Sequence, residues 1–554
     1  MKNRASALIA LSLVILSVHT AFGNKKSHEQ QIDKLFAGFD NGNSPGYAVL
    51  IIKDGQSIYK KCFGMANIEY NVPISESTRF HIPSDSKRFT ALAILILEKQ
   101  HKLSLNDNIR KYIPQLPEYS KHITINHLIH HTSGLREWGV LVDFSGISLD
   151  NVIKSDYLFN LICRQKNLVF TPGEKFQYSN TNYFLLSKIV ENISGLTFRE
   201  FTSKYIFNPL RMNDTFFSDN LEEIIPNQAM GYKPVGMNSY ARSTFNYEIV
   251  GSTGLSTTLN DLEIWLKEVM CREFNGDKEL LLKMEVRGLY NNGDTVPYMF
   301  GLRSEQYKGI NIIGHGGGDA AYRTYIGRVP EKNLGIVILS NTNKRNAIEI
   351  ALEIAEIFSK DKPDVNTFLP GRKSETQITP ELFKKYTGDY ELFPGFYFRI
   401  FEKSGRYYLQ ATGQSEFQII PETDSTFSVI GFKANIIFHI NEDGIYNECT
   451  LFQNGQRFKA NKKHLSINEK TKEKYIGKYY CEELGTCYEV ISGDKDIYIQ
   501  HPFRGRHQLI QTAPNEFVCY GFPGVKFQET ENEITGFQLN DKNVGTLNFI
   551  KIKS

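Results

Sequence analysis

Apolar positions along this chain change their spacing several times, and each change predicts an element. Residues 5–18 form an apolar run interrupted only by single serines. Residues 47–60 alternate about Asp54-Gly55, which predicts strand, tight turn and strand. From Phe89 onward Leu92, Ile94, Leu95, Ile96 and Leu97 follow a helical pattern that stops at Gln100-His-Lys. Residues 183–190 predict another helix. Residues 310–313, 325–329 and 336–339 predict strands, the last one buried, and residues 347–357 a closing helix. Between 360 and 380 Asp, Pro, Gly, Lys, Ser and Thr dominate, which predicts a linker. Beyond it come short alternating segments rich in Tyr, Phe and Ile, such as Tyr397-Phe-Arg-Ile-Phe and Asn435-Ile-Ile-Phe-His-Ile.

These C-terminal segments repeat. Tyr386-Thr-Gly-Asp-Tyr390 returns as Tyr475-Ile-Gly-Lys-Tyr479, and Ile420, Phe427 and Phe432 return as Ile510, Phe517 and Phe522, at an offset of 89 to 90 residues. Short strands at this spacing predict one antiparallel sandwich or small barrel per repeat. Their aromatic alternation is read as core and cross-strand pairing rather than as a ligand box.

The amino-terminus narrows the setting. Lys2 and Arg4 precede the apolar run, and Ala21-Phe22-Gly23 offers small residues for cleavage, the pattern of a secretory signal. About 14 apolar residues are short of the roughly 20 that cross a bilayer. We therefore expect a signal peptide over 1–23, a periplasmic or secreted mature chain, and no stable membrane span after cleavage. The 554 residues carry 64 Lys and Arg against 61 Asp and Glu, a net charge of +3 with no long single-sign run. Nothing in that balance points to a nucleic-acid partner, and none is expected. Seven scattered cysteines are not a disulfide scaffold. Cys481 and Cys487 are near enough in sequence for a local bridge, or stand as two free buried thiols.

Three motifs carry candidate chemistry. The first is Ser84-Asp-Ser-Lys87, just before the first helical run. Residues three apart share a helix face, so the Lys87 amine can reach the Ser84 hydroxyl and activate it. The competing reading of Ser84 is a helix cap. The same spacing occurs at Ser57/Lys60, Ser359/Lys362 and Ser492/Lys495. The first of these lies in a strand, where an odd offset separates the side chains. The second ends a helix before Pro363, and the third is a turn. The second motif is Tyr178-Ser-Asn180, opening the helix of residues 183–190. Its tyrosine can relay protons and its amide can hold a substrate carbonyl; a loop tyrosine and a cap asparagine are the competing reading. The third is His315-Gly-Gly317-Gly318, whose glycines let a substrate backbone approach a strand edge and whose Gly318 N–H can face an oxyanion. A plain glycine-rich hairpin is the alternative.

In this order and spacing the motifs resemble the serine β-lactamase and penicillin-binding-protein superfamily, in its class C-like branch. That branch also holds D-aminopeptidases, DD-peptidases and esterases. Further matches are Ile123-Thr-Ile-Asn-His127-Leu-Ile-His-His131-Thr-Ser-Gly-Leu135 and Gly251-Ser-Thr-Gly-Leu255. The resemblance implies an α/β (α+β) domain, an antiparallel sheet flanked by helices, followed by two all-β antiparallel barrels. The expected layout is hydrolase domain 24–362, linker 363–376, and barrels 377–465 and 466–554. It implies Ser84 as acylated nucleophile, Lys87 and Tyr178 as proton carriers, Asn180 on the substrate amide, and His315 and Gly317 along the substrate strand. The oxyanion would meet the N–H groups of Ser84 and Gly318. The implied reaction is hydrolysis of amides or esters, with short D-residue peptides favoured. A carboxylesterase, a β-lactamase and a non-turnover sensor are the alternatives. No cofactor or metal is expected. His127, His130 and His131 are read as packing residues, although their spacing could suit metal ligands.

Two departures from the family pattern stand out. Asp319-Ala-Ala-Tyr322-Arg323 follows the glycines where Thr-Pro-Gly-Phe is common. Asp319 and Arg323 are expected to pair with each other, or else Arg323 binds a substrate carboxylate or Asp319 a substrate amine. His315 also stands where β-lactamases carry a lysine, which counts against efficient β-lactam hydrolysis.

Overall fold

The computed structural model describes residues 28–39, 42–236, 239–359, 378–430, 432, 434–453, 456–463, 472–494 and 496–552. The expected signal peptide and linker lie outside the described residues. The chain forms two compact units. The first comprises the described residues up to Leu135, Leu149–Cys163, and those from Phe170 through the helix at Ala347–Ile357. The second comprises Arg136–Ser148, Arg164–Val169 and the C-terminal strands.

In the first unit the elements that position the site are, in order, β1 (Tyr47–Lys53), β2 (Gln56–Phe63), β3 (Phe80–Ile82), α1 (Lys87–Lys99), α2 (Asn180–Ser194), β4 (Leu255–Thr257), α3 (Leu259–Cys271), β5 (Arg303–Tyr307), β6 (Ile310–Asp319), β7 (Tyr322–Val329), β8 (Leu334–Ser340) and α4 (Ala347–Ile357). The large sheet runs β5-β6-β7-β8-β1-β2, antiparallel throughout. Strands distant in sequence therefore meet at its centre, with Tyr47 opposite Ser340 and Lys53 opposite Leu334. β1 is buried on both faces, which its apolar run requires. Alternation sends Val49 and Ile51 into the core that holds Ile350 and Ile354 of α4. α3 covers the opposite face, where Leu266 and Met270 approach Gly335 of β8.

The Asp54-Gly55 turn forms as predicted, with positive φ at both residues (52° and 78°). One expectation fails beside it. Ser57 and Lys60 do not point apart, since both side chains reach Glu263, at 2.6 and 2.9 Å. A register shift opposite Ile51/Ile52 inserts an extra residue and breaks the two-residue alternation. Lys60 is nonetheless tied to Glu263 and Glu76 rather than to Ser57.

The second unit contains two closed antiparallel barrels of eight strands each, from Gly388–Phe393 to Gln456–Lys463 and from Gly477–Cys481 to Gly545–Ile552. The sequence repeat forms the same device in both. A short helix (Pro380–Tyr386, then Lys472–Tyr475) precedes the first strand and supplies a buried tyrosine. The next repeat tyrosine donates back to that residue's carbonyl: Tyr390 Oη to Tyr386 O at 2.8 Å, and Tyr479 Oη to Tyr475 O at 2.6 Å. Phe427 and Phe517 pack edge-on against the two helix tyrosines. Phe432 and Phe522 diverge, the first exposed and the second buried. Cys481 is buried and Cys487 exposed, both free, because Tyr480 rather than Cys481 lies opposite Cys487.

Arg136–Ser148 and Arg164–Val169 are built into this unit by polar contacts. Arg136 pairs with Glu483 at 2.6 Å and also donates to Gln165 Oε1 and Thr546 O. Tyr488 donates to Phe144 O, and Arg504 pairs with Asp143. Among the described residues no helix is long and apolar enough to cross a membrane.

Candidate active site

β3 pairs with β4 and delivers the chain into a 3-10 turn, Ser84–Ser86, from which α1 starts at Lys87. Ser84 does not cap the helix. Its Oγ accepts from Lys87 Nζ at 3.1 Å and from Tyr178 Oη at 2.9 Å. Lys87 is fully buried, an arrangement that is costly unless its protons are used. Nζ also donates to Asn180 Oδ1 at 2.8 Å and to Ser252 O at 2.6 Å. Three distant segments thus converge on one serine: the Ser84 turn, the entry to α2, and the loop before β4. Asn180, expected on the substrate amide, spends its carbonyl oxygen on Lys87.

An aromatic box holds Tyr178 in place. His131 lies 4.4 Å from its ring, with Tyr298 beyond at 6.0 Å. Lys87 Nζ and Arg303 Cζ stand 5.0 and 5.4 Å from the same ring centre. His131 Nδ1 accepts from Ser179 N–H and faces the Asn182 amide. His130 Nδ1 donates to Tyr298 O, and His127 closes a capping box with Thr124. Burial holds His131 and His130 below the ordinary imidazole range, His130 at about 4, so each ring packs as a neutral group.

β6 forms the other wall. β5 pairs with it only from Ile310 to Gly314, so the edge from His315 to Asp319 has no strand partner on that side among the described residues. That free edge can take an extended substrate as an added strand. His315 Nδ1 donates to Gly316 O at 2.7 Å, which leaves Nε2 to accept from Tyr298 Oη at 3.0 Å. Both ring nitrogens are therefore committed. Burial, with Lys87 and Arg303 nearby, keeps this imidazole well below its usual pKa and neutral. Gly317 must be glycine for space, since a Cβ would overlap Thr324 Oγ1 and come within 3.0 Å of Asp85 Oδ2. Gly318 lies opposite Arg323 on β7. Ser84, Tyr178, His315, Arg303 and Glu305 line a cavity of ≈ 250 Å³.

The expected Asp319–Arg323 pair does not form. Asp319 Oδ2 takes donors from Tyr247, His81 Nε2 (3.1 Å) and Thr253 (3.3 Å). Arg323 instead donates to the carbonyls of Ala320 and Tyr322. The competing donors arrive from β3 and from the loop before β4, a convergence that local spacing does not encode.

Sequence reasoning missed Tyr298, Arg303 and the role of Ser252. Ser252 lies inside the recognised Gly251-Ser-Thr-Gly match and could have been found there. Tyr298 and Arg303 sit in an unremarkable stretch and become visible only when β5 reaches the sheet edge. Among the described residues Arg303 makes no ion pair, and its buried Nε has no hydrogen-bond partner.

A helix-flanked antiparallel sheet with a Ser–Lys–Tyr corner against a glycine strand defines a hydrolase of the serine β-lactamase and penicillin-binding-protein class. The beta-lactamase family model matches residues 32–357, and the chain belongs to that family. It is 28% identical over 454 residues to penicillin-binding protein 4* of Bacillus subtilis (strain 168), covering 79% of this chain and 98% of that protein. It is 27% identical over 297 residues to a D-aminopeptidase of Gluconobacter oxydans (strain 621H), covering 54% of this chain and 56% of that one. The structure of an octameric penicillin-binding-protein homologue from Pyrococcus abyssi superposes with a TM-score of 0.54 at 25% identity, over 87% of this chain and 99% of that one.

Proposed function

We propose that this protein is an exported serine hydrolase that cleaves amides or esters, with short D-residue-containing peptides as substrates, through an acyl intermediate on Ser84. The carrying observation is the pair of hydrogen bonds that Ser84 Oγ accepts from Lys87 Nζ and Tyr178 Oη. Ser84 Oγ attacks the substrate carbonyl carbon as its proton passes to the Lys87–Tyr178 pair. The carbonyl oxygen becomes an oxyanion held by the N–H groups of Ser84 and Gly318. Collapse breaks the carbonyl–nitrogen or carbonyl–oxygen bond, and Tyr178 returns the proton to the leaving atom. Water then repeats the sequence on the ester and frees Ser84. The Lys87 ammonium, 5.0 Å from the Tyr178 ring centre, stabilises negative charge as it develops on the phenol oxygen.

Amide chemistry is supported by the likeness to the Gluconobacter D-aminopeptidase. Export is supported by the basic start and apolar run of residues 1–23. Arg303 and Tyr178 line the same cavity, in which the leaving group would take its proton from Tyr178. An unpaired guanidinium there suits a leaving group that carries an anion. The committed nitrogens of His315 leave it no donor for that task.

The test is intact mass after exposure to a fluorophosphonate and, separately, a penicillin, with Ser84→Ala as control. One fluorophosphonate adduct, absent from Ser84→Ala, is expected. An adduct that survives in Ser84→Ala, or none in the folded protein, would overturn the reading.

A further inference from the structure

We infer that Thr324, Asp85 and Arg88 form a positioning relay that fixes the Ser84 turn against the glycine strand and so sets the fit of the transition state. The inference rests on the reading of Ser84 as nucleophile. Asp85 follows Ser84 directly, and its side chain is fully buried together with those of Arg88 and Thr324. Asp85 Oδ2 accepts from Thr324 Oγ1 at 2.5 Å, and Oδ1 accepts from Arg88 Nη2 at 3.0 Å. The same Nη2 donates to Ile326 O on β7, and Arg88 Nε donates to Asp85 O. One carboxylate therefore ties the nucleophile turn to α1 and to β7.

The tie falls at the point that matters for the reaction. Thr324 is the cross-strand partner of Gly317, and Asp85 Oδ2 and Thr324 Oγ1 lie directly beneath that glycine. One residue further along β6 is Gly318. The two N–H groups assigned to the oxyanion, on Ser84 and Gly318, therefore stand on the two sides of this bridge. Its length sets their spacing. A buried ion pair seldom stabilises a fold better than well-packed apolar side chains. Burial pushes the Asp85 carboxyl up and the Arg88 guanidinium down, the direction expected where desolvation opposes both charges. A role in geometry accounts for what stability alone does not.

Removing one anchor should loosen the spacing by a fraction of an ångström. Misplacements of about 1 Å cost on the order of 100-fold in rate. The experiment compares Thr324→Val with Thr324→Ser, with active sites counted by fluorophosphonate labelling of Ser84. For Thr324→Val we expect kcat per labelled site to fall roughly 10- to 100-fold with KM within about 2-fold. Affinity for a boronic acid, which adds to the serine as a tetrahedral anion, should fall in parallel with kcat. Thr324→Ser, which keeps the hydroxyl, should stay within about 3-fold of the unsubstituted protein. Equal kcat per site in the two variants would overturn the inference. A loss confined to the labelled fraction or to Tm would also overturn it, since that is what a merely structural threonine gives. Failure of the unsubstituted protein to label would instead remove the reading of Ser84 itself.

Discussion

Replacing Arg303 with Met tests how this site selects its leaving group. The substitution keeps an unbranched apolar stem to lie over Tyr178 and Tyr298 and removes the charge. In the structure the guanidinium is 5.4 and 5.7 Å from those two ring centres, and among the described residues it makes no ion pair. A hydrogen bond to a charged group contributes about 1.5–3 kcal/mol. That range corresponds to roughly 10- to 150-fold in kcat/KM. The assay uses matched peptide pairs whose leaving residue ends in a free carboxylate or in the carboxamide, with active sites titrated at Ser84. The unsubstituted protein should favour the acid by that factor. Arg303→Met should bring the ratio to about 1 while changing kcat/KM on the carboxamide less than about 3-fold. Arg303→Lys should recover only part of the preference, because an ammonium lacks the planar fork that pairs with both carboxylate oxygens. An acid-to-amide ratio unchanged in Arg303→Met would refute the reasoning. So would equal loss on both substrates, which would place Arg303 in support of Tyr178 instead.

Other expectations follow from the same geometry. Tyr298→Phe strands the buried acceptor nitrogen of His315 and should cost about 1–3 kcal/mol of stability in the first unit, read from Trp265 fluorescence in a Trp138→Phe background. Arg136→Met should destabilise the second unit by about 3–5 kcal/mol, because it leaves the Glu483 carboxylate buried and unpaired. Arg136→Met with Glu483→Leu should cost clearly less than the two single changes added together, measured by urea unfolding of the Trp138 signal. His501 gives a pH dependence to the same unit. Burial holds it near 4, with Nε2 donating to Asp143 O and Nδ1 accepting from Phe503 and Arg504 N–H. The unfolded imidazole takes a proton below about 6.5 and the folded one does not, so stability falls from about pH 6.5 to about pH 4 and is flat above. The contribution is on the order of 2 kcal/mol. His501→Asn should flatten that slope, and an unchanged slope would show that other groups set it.

Much of this was legible before any coordinates, for identifiable reasons. Ser84, Lys87, Tyr178 and Asn180 stand beside helix starts, and the site uses those local geometries. Gly317 was marked by its residue type, and the structure supplies the steric reason in Thr324 and Asp85. The repeat offset predicted one sandwich or small barrel per repeat and the resemblance favoured barrels; both repeats form closed barrels, each with a tyrosine pair that closes a hydrogen bond within five residues. What stayed hidden depends on contacts across hundreds of positions. Arg303 and Tyr298 reach Tyr178 only after the sheet assembles. Asp319 meets Tyr247 and His81 instead of the nearer Arg323. A single inserted residue in β2 reverses the face of Ser57. Short-range periodicity carries no information on any of these.

The stretch at Arg136 has a consequence for how the chain is made. Arg136 donates to the carbonyl of Thr546, 410 residues downstream. At a synthesis rate of 5–20 residues per second, roughly 20–80 s separate the two. For most of that interval the helix at Trp138–Phe144 exists without the strand that carries Tyr488 and the turn that carries Arg504. Contacts of such long sequence separation form late and slowly. Until the last strands emerge, Phe144 therefore lacks its Phe522 ring partner and Arg136 lacks Glu483 and the Thr546 carbonyl.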